Sequence, residues 1–160
     1  MEYQRGPKPS GRYFEEFREG EEFVTASRTV TEADIVTFAG LSGDYNQLHT
    51  DEEFAKQTVF GGRIAHGFLG LSISSGLTDR LKHLEGTAMA FLGLTWKFTG
   101  PIKIGDTIKV RQVVSEKKET SKKDRGVIVF DMKILNQRGE SVQEGQQSIM
   151  VRRRPSEEER

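Results

Sequence analysis

Two short stretches hold the residues whose types and spacing suit acid–base chemistry. Ser42-Gly-Asp44-Tyr-Asn46-Gln-Leu-His49 sets a carboxylate and an imidazole five residues apart in a turn-rich run, and His66-Gly67 follows seventeen residues later. An Asp and a His held near one another can exchange protons with a bound water. Other chemistries lack their residues. The chain has no cysteine, so neither a thiolate nucleophile nor a zinc–thiolate site is available. No serine sits in a G-x-S-x-G elbow, and no H-E-x-x-H pair or phosphate-cradling glycine loop occurs.

Each of these residues also has a plain structural reading. Asp44 and Asn46 are common turn residues, and on spacing alone an Asx turn outweighs catalysis. His49 could cap a helix near Asp51, and His66 could cap the helix that follows it. Asp34 reads as a capping residue. His83, beside Lys82, reads as a solvated side chain.

The elements that must position these groups follow from the hydrophobic pattern. Phe23–Val30 reads as a strand with Val24, Ala26 and Val30 on one face. Thr31-Glu-Ala-Asp34 has the form of a capping box opening a helix through Ile35, Phe38 and Ala39, which stops near Gly40 and Gly43. A short helix is expected around Asp51–Gln57, and Gly61-Gly62 breaks the chain after it. His66–Thr78 carries no charged residue, and Leu69, Ile73, Leu77 and Leu81 recur at helical spacing. A helix that is apolar or small all round is a buried one, so residues 66–81 form the expected central helix.

Period two then takes over. Every even position from Ala88 to Phe98 is apolar, which predicts a long strand with one face on the core. Thr107–Val114, Gly126–Leu135 and Val142–Val151 follow as further strands, with a hairpin turn at Asn136-Gln-Arg-Gly139. One buried helix followed by long antiparallel strands predicts an α+β architecture, the sheet wrapped around the helix.

The chain is 160 residues long with 24 basic and 24 acidic side chains, a length that suits one domain over residues 1–160. Residues 1–20 are expected to be a loosely packed arm, and the charged end 152–160 a frayed tail. A net charge of zero and the lack of a basic stripe argue against nucleic acid as a partner. No apolar run is long enough to span a membrane, and the N-terminal stretch lacks the apolar region of a secretory signal, so a cytoplasmic protein is expected.

The run from Ser42 through His49-Thr-Asp51 closely resembles the signature of the MaoC-like (R)-specific enoyl-CoA hydratases. The resemblance continues through Phe54-Ala55, Gly62-Arg-Ile-Ala-His66-Gly67 and Ser75-Gly76, and covers roughly residues 23–151. It implies the hot-dog fold, an antiparallel sheet wrapped around one long helix, and homodimers that bind acyl-CoA near the dimer interface. It further implies that Asp44 and His49 are the catalytic dyad and that Asn46 supports their geometry. Ser75 would support the acid by hydrogen bonding, and His66 would shape the turn before Gly67, whose backbone N–H would bind the thioester oxygen. One departure is visible, because the family usually has proline where this chain has Gln47; a looser dyad loop is the expected consequence.

The implied reaction is addition of water to a trans-2-enoyl thioester, giving an (R)-3-hydroxyacyl thioester, or the reverse dehydration. No metal or redox cofactor is required. Two alternatives belong to other classes: a hot-dog acyl-CoA thioesterase, and a non-catalytic acyl-CoA-binding subunit. Arg63, Lys97 and Lys103 are candidates to meet CoA phosphates, and equally ordinary surface charges.

Overall fold

The computed structural model describes residues 9–155. A short 3-10 helix (Phe14–Glu16) precedes strands β1 (Glu22–Val24) and β2 (Arg28–Thr29). Helices α1 (Glu32–Ser42), α2 (Gln47–Thr50), α3 (Glu52–Lys56) and α4 (Gly67–Asp79) come next. Strands β3 (Ala88–Phe98), β4 (Thr107–Glu119), β5 (Arg125–Leu135) and β6 (Ser141–Arg152) complete the chain. The long strands form one antiparallel sheet in the order β1-β4-β5-β6-β3, and β2 pairs with β4 beside β1. This is the expected α+β hot-dog arrangement.

The core lies between this sheet and α4. Leu69, Ile73 and Leu77, spaced four apart, bring one stripe of α4 into a cluster with Ile102, Val110, Ile128 and Phe130. Burying each such side chain contributes about 1.5–3 kcal/mol, which more than offsets the cost of about 1 kcal/mol for each interior glycine of α4. Gly70 is needed for contact, because a Cβ there would stand 2.4 Å from the Gln143 amide nitrogen.

Four expectations are corrected. Phe23–Val30 is not one strand, and Val24 is exposed while Val30 is buried. Thr25 interrupts it: its N–H donates to the Val110 carbonyl, and its hydroxyl accepts from the Val110 N–H. The N-terminal arm packs tightly where it is described, with Phe14 and Phe17 among the most buried side chains. Gly126 provides the seat, since a Cβ there would lie 2.4 Å from the Phe14 ring. At the other end Arg153 pairs with Glu15 and Glu119, and Arg154 with Glu16. Residues 1–8 of the expected arm and 156–160 of the expected tail lie outside the described residues.

The third correction concerns β3. Only Trp96 is even half-buried, and Phe91, Leu92, Leu94 and Phe98 are all exposed. Bulges between Ala88 and Ala90 and between Phe91 and Gly93 break the even-position pattern. Directly opposed residues share a face, so Leu94, Trp96 and Phe98 side with Gln147, Gly145 and Gln143, while Phe91, not Leu92, sides with buried Ile149. β3 is also the last strand of the sheet, and among the described residues its large apolar side chains stay exposed. Fourth, His83 is buried at 7% exposure, with its ring stacked on Phe23.

Candidate active site

The loop between α1 and α3 is shaped by short-range hydrogen bonds that its sequence supplies. Thr31 caps α1 through the capping box with Asp34. Burial pushes the Asp34 carboxyl up, but the Thr31 N–H and hydroxyl and then Arg28 hold it below its ordinary value. Gly43 ends α1 in the left-handed region at φ +76, a conformation glycine adopts without steric penalty. The Asn46 N–H then donates to Asp44 Oδ1 at 3.1 Å, and the Leu48 N–H to Asn46 Oδ1 at 3.0 Å. Asp44 therefore does make the turn its residue type suggests, and Asn46 caps α2. Gln47 takes the first position of α2, where an N–H has no intrahelical partner in any case; this is why proline suits that position so well.

α2 carries His49, and α3 begins separately with Asp51 as its cap. The expected single helix at Asp51–Gln57 is thus shorter, and His49 belongs to the turn before it. His49 Nδ1 lies 2.7 Å from the Ile64 carbonyl. A carbonyl only accepts, so Nδ1 carries the proton and Nε2 keeps its lone pair. His66 Nε2 lies 2.9 Å from the backbone carbonyl of Asp44, and the same logic makes it the protonated nitrogen. The two imidazoles stack, with centroids 3.8 Å apart and planes inclined by 29°.

The fold therefore brings Asp44, His49 and His66 together, with one polar atom of each within 4.8 Å of the others. As a metal centre the trio is poorly arranged, because lone pairs of nearly parallel, stacked rings do not converge on one ion. The arrangement suits proton exchange with a small molecule at Asp44 and His49.

Beside this pair starts α4. His66 stands at its N-cap but makes no side-chain cap bond. As the first helical residue, Gly67 has an N–H without an intrahelical acceptor, at the positive end of the helix. A Cβ on Gly67 would fall 2.6 Å from the Phe98 ring, and Phe68 packs edge-on against Phe98, so an apolar wall flanks that amide. A buried residue with no sequence signal secures it. Gln143 Nε2 donates to the Gly67 carbonyl at 3.1 Å, and Gln143 Oε1 accepts from Trp96 Nε1 at 3.0 Å.

Ser75 is not brought to the pair. It lies exposed on α4, eight residues beyond Gly67 and roughly 12 Å along the helix at about 1.5 Å per residue, with its carbonyl accepting from the Thr78 hydroxyl. Arg63 is already committed to Glu32 and Glu52, whose hydrogen bonds raise its basicity. Lys103 donates to the Phe60 carbonyl. A groove of about 270 Å³ lined by Arg28, Ser72, Ile73, Gly76, Leu77 and Arg80 runs beside the second half of α4, away from Asp44 and His49.

A helix enclosed by a curved antiparallel sheet, with an Asp/His pair at its amino end, defines a hot-dog protein. The same fold is seen at 19% identity and a TM-score of 0.77 in a Mycobacterium tuberculosis protein described as a double hot-dog. Residues 16–132 match the family described as the MaoC like domain, and the chain belongs to it. The (R)-specific enoyl-CoA hydratase of Rhodospirillum rubrum is 34% identical over 143 residues, covering 87% of this chain and 91% of that enzyme. A structure described as a monoamine oxidase regulatory protein from Archaeoglobus is 41% identical, covers 91% of this chain and 97% of its own, and has a TM-score of 0.85. Protein MaoC of Klebsiella aerogenes is 40% identical over 110 residues, which are 68% of this chain. The match spans only 32% of that longer protein. Relatives bearing hydratase and dehydratase names are hydro-lyases. Among the described residues no helix is long and apolar enough to cross a membrane.

Proposed function

We propose that the protein hydrates trans-2-enoyl-CoA to (R)-3-hydroxyacyl-CoA, or runs the reverse dehydration. The observation that carries this is the gathering of the Asp44 carboxylate and His49 beside the amino end of α4. Asp44 Oδ1 is engaged by the Asn46 N–H, which leaves Oδ2 to face a ligand, and His49 offers Nε2. The Gly67 N–H donates to the thioester carbonyl oxygen at the positive end of α4, polarising the enoyl group. Water held between Asp44 and His49 adds its oxygen to the β-carbon and gives one proton to one member of the pair. The other member, which holds the one exchangeable proton that the pair has taken up from solvent, delivers it to the α-carbon. Both act from one side, so addition is syn, and each turnover exchanges the proton between the two members.

The thioesterase alternative needs a carboxylate along the central helix. The only one on α4 is Asp79, its last residue, which is exposed and paired with Lys82. A binding-only role gives no account of an Asp and a His aligned for proton exchange.

The working unit in this proposal is a homodimer joined through β3. Its unpaired edge and exposed Phe91, Leu92, Leu94 and Phe98 make an apolar surface that a monomer does not cover. Sedimentation is expected to give about twice the chain mass of 18.1 kDa at micromolar concentration; a monomer rules the dimer out. For the reaction, crotonyl-CoA should lose its enoyl-thioester absorbance, while a saturated acyl-CoA should release no thiol. Thiol release without loss of the enoyl band would make the protein a thioesterase.

A further inference from the structure

We infer that His66 is a positioning residue that ties down the backbone of Asp44 and the ring face of His49. The inference rests on the hydratase reading for the reaction that it serves, and on geometry alone for the state of the ring.

A helix N-cap normally carries a short side chain that accepts from the first free N–H groups, with Ser, Thr, Asp and Asn preferred. His66 occupies that position on α4 without making such a bond. Its ring is turned the other way and lies at 2% exposure between the Phe38 ring, 5.0 Å away, and the His49 ring, 3.8 Å away. The Nε2–H donates to the carbonyl of Asp44, the residue whose carboxylate stands beside His49. One side chain thus fixes both members of the pair, the loop of one and the ring face of the other.

The same contacts decide how the ring is oriented. Nδ1 is buried and has no hydrogen-bond partner, so the Nε2–H is the one polar bond that holds the ring, and its acceptor is the Asp44 backbone. Losing that donor would leave the Asp44 carbonyl without it and free the loop that carries the carboxylate.

Two measurements test this. Nitrogen–proton correlation spectra of the imidazole rings should show wild-type His66 as the Nε2–H tautomer, with its Nε2–H shifted by the bond to the Asp44 carbonyl. Hydration kinetics supply the second readout. His66→Phe keeps a ring but removes the donor to Asp44, and should lower kcat by about ten- to a hundredfold with KM little changed. His66→Gln, which restores a donor, should recover part of that loss.

A role confined to packing predicts something else: a lower melting temperature, with kcat per folded molecule unchanged. That outcome overturns the inference, as does an Nδ1–H tautomer at His66. If wild-type protein shows the Nε2–H tautomer but hydrates no enoyl-CoA, the hydratase reading fails and the contact assigned to His66 stands.

Discussion

Two clusters in this molecule each bury a histidine against an aromatic ring, and they differ in what the ring nitrogens meet. At the amino end of α4, His66 lies between Phe38 and His49, and carbonyls of Asp44 and Ile64 fix which nitrogen of each imidazole holds the proton. Beyond the other end of α4, His83 stacks on Phe23 at 4.6 Å with the edges of Phe17 and Phe130 around it. The buried amide of Gln112 lies beside its ring and opposes the shift of the imidazole only weakly, because neither group makes a hydrogen bond of good geometry. Burial, and then the charge of Arg12, push the His83 imidazole down to about 4. Burial and stacking thus make a histidine neutral and inert. Reactivity needs a nitrogen whose partner is fixed on one side of the ring, with a carboxylate facing the other.

The comparison breaks first at the reacting pair. Under the proposed mechanism Asp44→Asn and His49→Ala should each lower kcat by about 10²–10⁴, and the double variant should be little worse than either, as for two groups that act as one unit. Stability should change by less than about 2 kcal/mol, because both lie in a loop. In contrast, His83→Leu should leave kcat per folded molecule unchanged. Crotonyl-CoA hydration rates on folded protein check both; if both dyad variants keep more than about a tenth of wild-type kcat, the pair is not the reacting unit.

The second expectation concerns pH. His83 titrates lower in the folded chain than its ordinary value of 6.5, so the unfolded chain binds the extra proton first. The stability it carries is complete above about pH 6.5 and is lost as the pH falls toward about 4. The loss should reach up to about 3 kcal/mol. Urea midpoints from pH 7 to 4 should fall in wild type and fall less in His83→Leu, which has no buried nitrogen to charge. Equal slopes in the two proteins would refute this.

The smallest effect tests what holds Gly67. Gln143→Leu leaves the Gly67 carbonyl and the Trp96 N–H without their partner, at a cost of about 1–3 kcal/mol. Trp96 is the only tryptophan, so its emission should report the change directly. An unaltered emission spectrum together with an unaltered melting temperature would mean that the bridge contributes nothing.

Much of the fold was legible because its signals are local or periodic. The capping box at Thr31–Asp34, the charge-free helix and the alternation of β4 and β5 each place an element from nearby residues alone. Where the reading went astray, a distant group overrode a local pattern. Thr25 replaced a ladder bond on β4 and split the first strand. Bulges turned Leu92 out of the series that begins again at Leu94. Lys82 suggested that His83 is solvated, yet Phe17, Phe23 and Phe130, from three distant parts of the chain, enclose it. The candidate site was legible at Asp44, Asn46, His49 and His66-Gly67, since all lie within two short runs of sequence. Gln143 had no signal, because a buried glutamine on a strand differs from an exposed one only in what it touches.

By itself, then, the sequence determined the chemical types available and the local frames that hold them. These are a carboxylate and an imidazole in a capped turn, a glycine opening a small-residue helix, and strands with an apolar face. Only the tertiary structure decided which nitrogen of His49 and of His66 bears its proton, and that His83 is shut away among aromatic rings. It also decided that Ser75 lies along α4 away from the pair, and that β3 is left uncovered. The physical reason is range. Caps and turns are closed by bonds over two to four residues, which composition and spacing encode. A tautomer, a stacked ring or an open sheet edge depends on groups tens of residues away, whose arrival is set by how the whole core packs.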